Sequence, residues 1–221
     1  MYRICAILLA LTLAVTLLAA AIWFPATSGR LMNRLMWQYA PTEDSGLPEA
    51  EYPAMAKMIA GYLSGDEDSF QLTYTEDGAE YRAFQPHEQQ HMADVQGLFD
   101  LCRTVLLAGL GVSAALTGVL ICLRNRKALV WLRRTMYVLL ALLALVAVAA
   151  VKAFDSLFIL FHEIAFTNDL WLLNPSTDML IRLMPLEFFI AYAAIIGVCW
   201  LIGLLLVIGG SAAVQRFLPK E

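Results

Sequence analysis

The sequence predicts an all-α integral membrane protein of four transmembrane helices, with a small mixed cap facing outward between the first two. Three observations carry that reading. Hydrophobic residues make up 60% of the 221-residue chain and charged residues 15%, where soluble domains sit nearer half and a quarter. The apolar residues gather in four runs, each long enough to cross the roughly 20-residue hydrocarbon core. The charges between those runs are sorted by sign.

The first run, 4–24, holds no charge, and Pro25 marks a natural stop. A cleavable signal peptide competes here, since Arg3 precedes the run and small residues lie near its end. The run exceeds the usual apolar core of about 7–15 residues, which favours a retained anchor. The second run, 104–123, is bounded by Arg103 and Arg124. The third, 135–158, passes Lys152 and Asp155, a spacing that predicts an i,i+3 pair. The fourth, 188–214, is long enough to cross with some tilt. Length predicts a single membrane domain.

Lys and Arg accumulate on the cytoplasmic side of membrane proteins. The loop between the second and third runs carries Arg124, Arg126, Lys127, Arg133 and Arg134 without an acid, and Arg3, Arg216 and Lys220 join that side. Residues 25–97 hold four basic and twelve acidic residues. Both termini are therefore expected in the cytoplasm, and the 25–97 cap and the 155–187 region outside. Within the cap, 30–39 and 50–63 show helical spacing, a turn-rich stretch spans 41–48, and 69–84 patterns as a hairpin about Asp77-Gly78. Cys5, Cys102, Cys122 and Cys199 sit inside apolar runs as small hydrophobes. No basic patch with interleaved aromatics occurs, which argues against a nucleic-acid partner.

The chain has three histidines, His87, His91 and His162. His87-Glu88-x-x-His91 spells a zincin string, but no third ligand follows at a familiar spacing. Pro86 suggests instead that His87 opens a helix. Residues 161–188 place many polar groups beside aromatics at a membrane boundary: His162, Asn168, Asp169, Trp171, Asn174, Asp178 and Arg182. Bland readings compete: Trp171 as an interface anchor, Asn174-Pro175 as a turn, Asp178 and Arg182 as an i,i+4 pair. An ionisable group near the bilayer is nevertheless a functional candidate by default. At ~1.5 Å per residue, His162 lies roughly 10 Å, and His91 roughly 18 Å, beyond the ~30 Å core on the outer side, so the two can meet there. Neither has an evident core-packing role in the sequence.

Two blocks resemble the lipoprotein intramolecular transacylase (Lit) family of bacterial membrane proteins. One is Glu88-x-x-His91-Met92-x-Asp94-Val95. The other runs from Phe161-His162 through Asn168-Asp169-x-Trp171-x-Leu173-Asn174-Pro175-x-x-Asp178-x-Leu180-Ile181 to Pro185-x-x-Phe188-Phe189. The four-helix layout matches too. Departures are Leu186 after Pro185, where family members often carry an acid, Asn174 where Asp is also common, and a histidine at position 87. The resemblance implies a plasma-membrane enzyme that acts on diacylglyceryl lipoproteins and moves the sn-2 acyl chain to the cysteine's own α-amine, with no cofactor. It implies a site on the outer side, with His91 and His162 catalytic. Glu88, Asp94, Asn168, Asp169, Trp171, Asp178 and Arg182 would support them or bind substrate and membrane lipid. The residue types suit this chemistry, since imidazole accepts and returns protons near neutrality. A zinc hydrolase built on His87, Glu88 and His91, and a non-enzymatic membrane adaptor, are the alternatives.

Overall fold

The computed structural model describes residues 1–76 and 78–217. Asp77 of the expected hairpin turn, and Lys220 of the basic terminus, lie outside the described residues. Among the described residues, four helices are long and apolar enough to cross a membrane: α1 (Tyr2–Ala26), α5 (Pro86–Leu123), α6 (Arg126–Ala165) and α8 (Leu186–Phe217). Between α1 and α5 lie α2 (Gly29–Tyr39), α3 (Thr42–Ser45), a 3-10 turn (Glu49–Glu51), α4 (Tyr52–Ser64), β1 (Thr73–Glu76) and β2 (Ala79–Arg82). A five-residue helix, α7 (Met179–Leu183), precedes α8.

The long helices exceed the spans read from their apolar runs. Absence of charge marks the hydrocarbon, whereas a helix continues for as long as its backbone bonds are favourable. Thus α5 begins 18 residues before position 104, and α6 continues to Ala165, past the end of its apolar run. His91 and His162 ride on these extensions, beyond the apolar runs. Ala153 departs from helical geometry (φ −146°, ψ 39°) and kinks α6. The kink removes the register on which the expected Lys152–Asp155 pair rested.

The chain packs as two compact units. The first contains Met1–Ile22, Cys102–Lys152 and 195–217. Its core is Ala6, Leu9, Ala10 and Ala14 of α1 against Ala128, Leu132 and Met136 of α6 and Leu204 of α8. Alanines on α1 allow close helix approach, as small residues do in membranes. Trp200 Nε1 donates to the Ala14 carbonyl at 2.8 Å. Outward faces are apolar and exposed, with Val151, Leu206, Ile121 and Leu145 each at least 66% accessible. That surface suits lipid and not water.

The second unit contains Trp23–Leu101 and Ala153–Ala194. Its cap closes on Tyr52, whose ring lies 5.0 Å from Trp37 and whose hydroxyl bonds to the Ala40 carbonyl and to Ser45. The hairpin pairs Tyr74 with Tyr81, the rings stacked at 5.7 Å. Pro25 falls one residue before the end of α1, in keeping with the expected stop there.

Candidate functional site

Every residue expected at the site lies in the second unit. His91, on the N-terminal part of α5, and His162, near the C-terminal end of α6, bring their imidazole centroids to 6.1 Å. Both are buried, at 6% and 8% exposure. The expectation that neither packs in a core is therefore corrected. His162 is ringed by Phe158 (4.2 Å), Trp171 (5.0 Å), Phe161 (5.2 Å) and Phe166 (5.6 Å). Phe166 also meets His91 edge-on at 5.1 Å. Trp171 is thus a wall of the histidine slot and not simply an interface anchor.

Hydrogen bonding distinguishes the two rings. His162 Nδ1 lies 2.7 Å from the Phe158 carbonyl. A carbonyl only accepts, so Nδ1 carries the proton and Nε2 keeps its lone pair. His91 Nδ1 is buried without a partner, which costs about 1–3 kcal/mol until something completes the bond. Burial, and then the neighbouring His162, lower His91 to about 4 against the opposing pull of Asp94. Burial also lowers His162, despite the bond to Phe158. Desolvation disfavours the charged imidazolium in both cases. The pair is consequently neutral near pH 7.

Beside the pair lies a cleft of about 290 Å³, lined by Ala93, Asp94, Gly97, Phe166, Thr167 and Asn168, with Ala165. Asn168 Nδ2 donates to Asp94 Oδ2 at 2.9 Å, and its Oδ1 accepts from the Leu170 amide. The segment 166–171, which follows α6, is thereby tied to α5 beside the cleft. Asp169 is exposed, and its carbonyl accepts from Leu172.

The zincin string does other work. Glu88 is fully buried, and its two oxygens accept from the Gln85 and Leu180 amides, each at 2.7 Å. It caps the first turn of α5 and the start of α7 at once, two places where helix amides lack internal partners. Burial pushes the Glu88 carboxyl up against the lowering effect of those amides. His87 Nε2 donates to Asp178 Oδ2 at 2.9 Å. Asp178 also accepts from the Asn174 amide and the Thr177 hydroxyl. Burial alone would raise Asp178, but these bonds outweigh it and hold the carboxyl below its usual range.

The expected Asp178–Arg182 ion pair is corrected. His87 and local donors occupy the carboxylate, and Arg182 Nε bonds to the Asp178 backbone carbonyl at 3.3 Å. Sequence reasoning missed Phe158, whose carbonyl sets the His162 tautomer. The one signal was its place four residues upstream on the same helix.

Replacing Glu88 by alanine would leave the Gln85 and Leu180 amides at two helix starts without this partner, the second of them buried. The expected loss is about 2–4 kcal/mol of stability, seen as a lower Tm of the purified protein in detergent. Glu88→Gln distinguishes this role from that of a metal-assisted base. A variant with unaltered Tm and no activity would mean that Glu88 acts on the reaction.

A sequence model for the family described as lipoprotein intramolecular transacylase Lit matches residues 4–189. Comparison with curated protein sequences gives no match. Among solved structures, the membrane-integral lipoprotein intramolecular transacylase Lit of Bacillus cereus superposes with a TM-score of 0.81 at 19% identity, covering 98% of each chain. A form of that protein with a histidine replaced by arginine gives 0.73 at 20% identity, over 98% of this chain and 91% of the other. A histidine-to-alanine form gives 0.70 at 21%, over 99% and 93%. At these identities the structural likeness speaks for a shared fold.

Proposed function

We propose that this chain, which belongs to the lipoprotein intramolecular transacylase family, moves the sn-2 acyl chain of a diacylglyceryl-modified cysteine to that cysteine's own α-amine. The observation that carries this reading is a pair of buried, neutral imidazoles 6.1 Å apart, one with its tautomer fixed. A membrane-integral lipoprotein transacylase needs a base that is uncharged at rest beside lipid, takes the amine's proton and returns it to the leaving alkoxide.

The reaction runs as a balanced transfer. The α-amine nitrogen attacks the sn-2 ester carbonyl, and its proton passes to His162 Nε2. The resulting oxyanion collapses, the carbon–oxygen bond to glycerol breaks, and the alkoxide takes the proton back from the His162 imidazolium. The products are an amide on the cysteine nitrogen and a free sn-2 hydroxyl, the lyso-form lipoprotein. Ester becomes the more stable amide, so neither coenzyme nor ATP is required. His91 serves as hydrogen-bond donor to the oxyanion or leaving alkoxide, and the substrate completes the bonding that its buried Nδ1 lacks. Asp94 and Asn168 orient the substrate amine from the cleft. Asp169 joins them in orienting the amine, Arg182 contacts a substrate carbonyl or a lipid phosphate, and Glu88, Asp178 and Trp171 hold the frame.

The test is mass spectrometry of one lipoprotein's N-terminal peptide, made with and without this protein. Acyl migration leaves the mass unchanged, so fragment ions must locate the chain on nitrogen. A proven substrate that stays diacylated on glycerol would defeat the assignment.

We also propose a plasma-membrane topology with both termini cytoplasmic and the 25–97 and 155–187 segments outside. The charge sorting supports it. A reporter fused after Glu221 that is active only outside the cytoplasm is expected to stay silent. A strong signal would invert the topology and place both histidines in the cytoplasm.

A further inference from the structure

The two units divide the chain's charge almost completely. The second holds eighteen of its nineteen acids. The first holds ten of its fifteen Lys and Arg residues and one acid, Glu221, which lies outside the described residues. The first unit is therefore strongly basic.

The cations at one end are arranged around a single aromatic plate. The Arg3 guanidinium sits 3.8 Å from the Trp131 ring centroid, and that of Arg134 sits 5.2 Å from the same centroid. Two like charges on one indole repel unless an anion lies near them. Next along α6, Arg133 donates through Nη2 to Gln215 of α8, while its Nη1 is buried without a partner. None of these three arginines meets a carboxylate among the described residues. Each offers planar paired donors, the geometry that fits phosphate oxygens.

The surroundings say which kind of phosphate. Trp131 has the amphipathic ring that settles at headgroup level. Ile4, Tyr137, Val138 and Val214, near these arginines in sequence, are all more than half exposed, a surface for acyl chains and not for a soluble anion. We infer that the first unit carries a binding site for the headgroup phosphate of an anionic phospholipid, built by Arg3 and Arg134 around Trp131. Juxtamembrane arginines attract anionic lipid generally. What marks a site here is that two guanidinium groups share one indole with no carboxylate beside either among the described residues.

The experiment is native mass spectrometry of the purified full-length protein in detergent, with phosphatidylglycerol or phosphatidylcholine of matched chains added. Phosphatidylglycerol should remain as a one-to-one adduct where phosphatidylcholine does not, and millimolar inorganic phosphate should not displace it. Arg134 is exposed, so Arg134→Gln keeps the fold. It should weaken the adduct about fivefold, and Arg3→Gln with Arg134→Gln about twenty-fivefold. Arg103→Gln removes the same charge outside the arginine cluster and should change nothing. Equal retention of the two lipids, or equal losses in Arg103→Gln and Arg134→Gln, would overturn the inference in favour of a diffuse field. Displacement by inorganic phosphate would overturn it in favour of a free-anion site.

Discussion

Replacing His162 by alanine is expected to lower the rate of acyl migration by about 10²–10⁴, the range for loss of a general acid–base group. The loss is not larger because amine and ester share one substrate molecule, so proximity is largely built in. What remains for the protein is to take the amine's proton, steady the oxyanion and hold the reactive conformer. His162 is suited to the first task because the Phe158 carbonyl fixes its proton on Nδ1. Alanine would also empty a slot among four aromatic rings, a cavity that costs about 2–4 kcal/mol by itself. His162→Phe fills that slot and removes only the proton-handling nitrogen. If both variants express well and both fail to give lyso-form product, chemistry and not collapse explains the loss. Wild-type product from His162→Phe would show that another group takes the proton.

The members of the candidate site were legible in the sequence for a simple reason: His91 precedes one apolar run and His162 follows the next, so the two are expected at the same end of successive antiparallel helices. Charge sorting put both runs' ends on one side, and 1.5 Å per residue brought them within reach. What it could not supply were bonds between distant segments. Glu88 looks like half of a zincin string until the Leu180 amide, 92 residues away, turns it into a double cap. Asp178 and Arg182 have the spacing of an ion pair, and His87 from another helix takes the carboxylate instead. The kink at Ala153 was equally hidden, since alanine is the best helix former and carries no local reason to break. The cap's two helices were near their predicted bounds because amphipathic spacing is local information. Burial of the histidines was not, because an imidazole on a helix looks the same whether aromatics or water surround it.

The pH dependence of the rate tests the neutrality of the pair. The substrate's α-amine attacks only when unprotonated, and its pKa of about 7.7–8.0 makes log rate fall with unit slope on the acid side. An imidazole that must also be neutral adds a second unit of slope below its own pKa. Burial first, and His162 second, hold His91 at about 4, and burial lowers His162 too. The slope is therefore expected to stay near one from neutrality through 6.5, the ordinary histidine value, with any bend lying below it. Initial rates in mixed micelles across that range give the answer, and a bend to slope two at 6.5 would mean that an unshifted imidazole governs the reaction. The same shift acts on stability. The unfolded chain binds a proton at His91 near 6.5, while the folded chain resists until about 4. The contribution is thus fully present above 6.5 and lost as pH falls toward 4, by roughly 3 kcal/mol at the acid limit. His91→Phe keeps the ring's packing and removes the titration, so its Tm should fall less than that of the unmodified protein as pH drops through this window. The variant should also lose about 10²–10⁴ in rate, as expected of a donor to the oxyanion or leaving alkoxide. An inactive His91→Phe with the parent's full acid sensitivity would leave the catalytic role standing and assign the buried titration to another group.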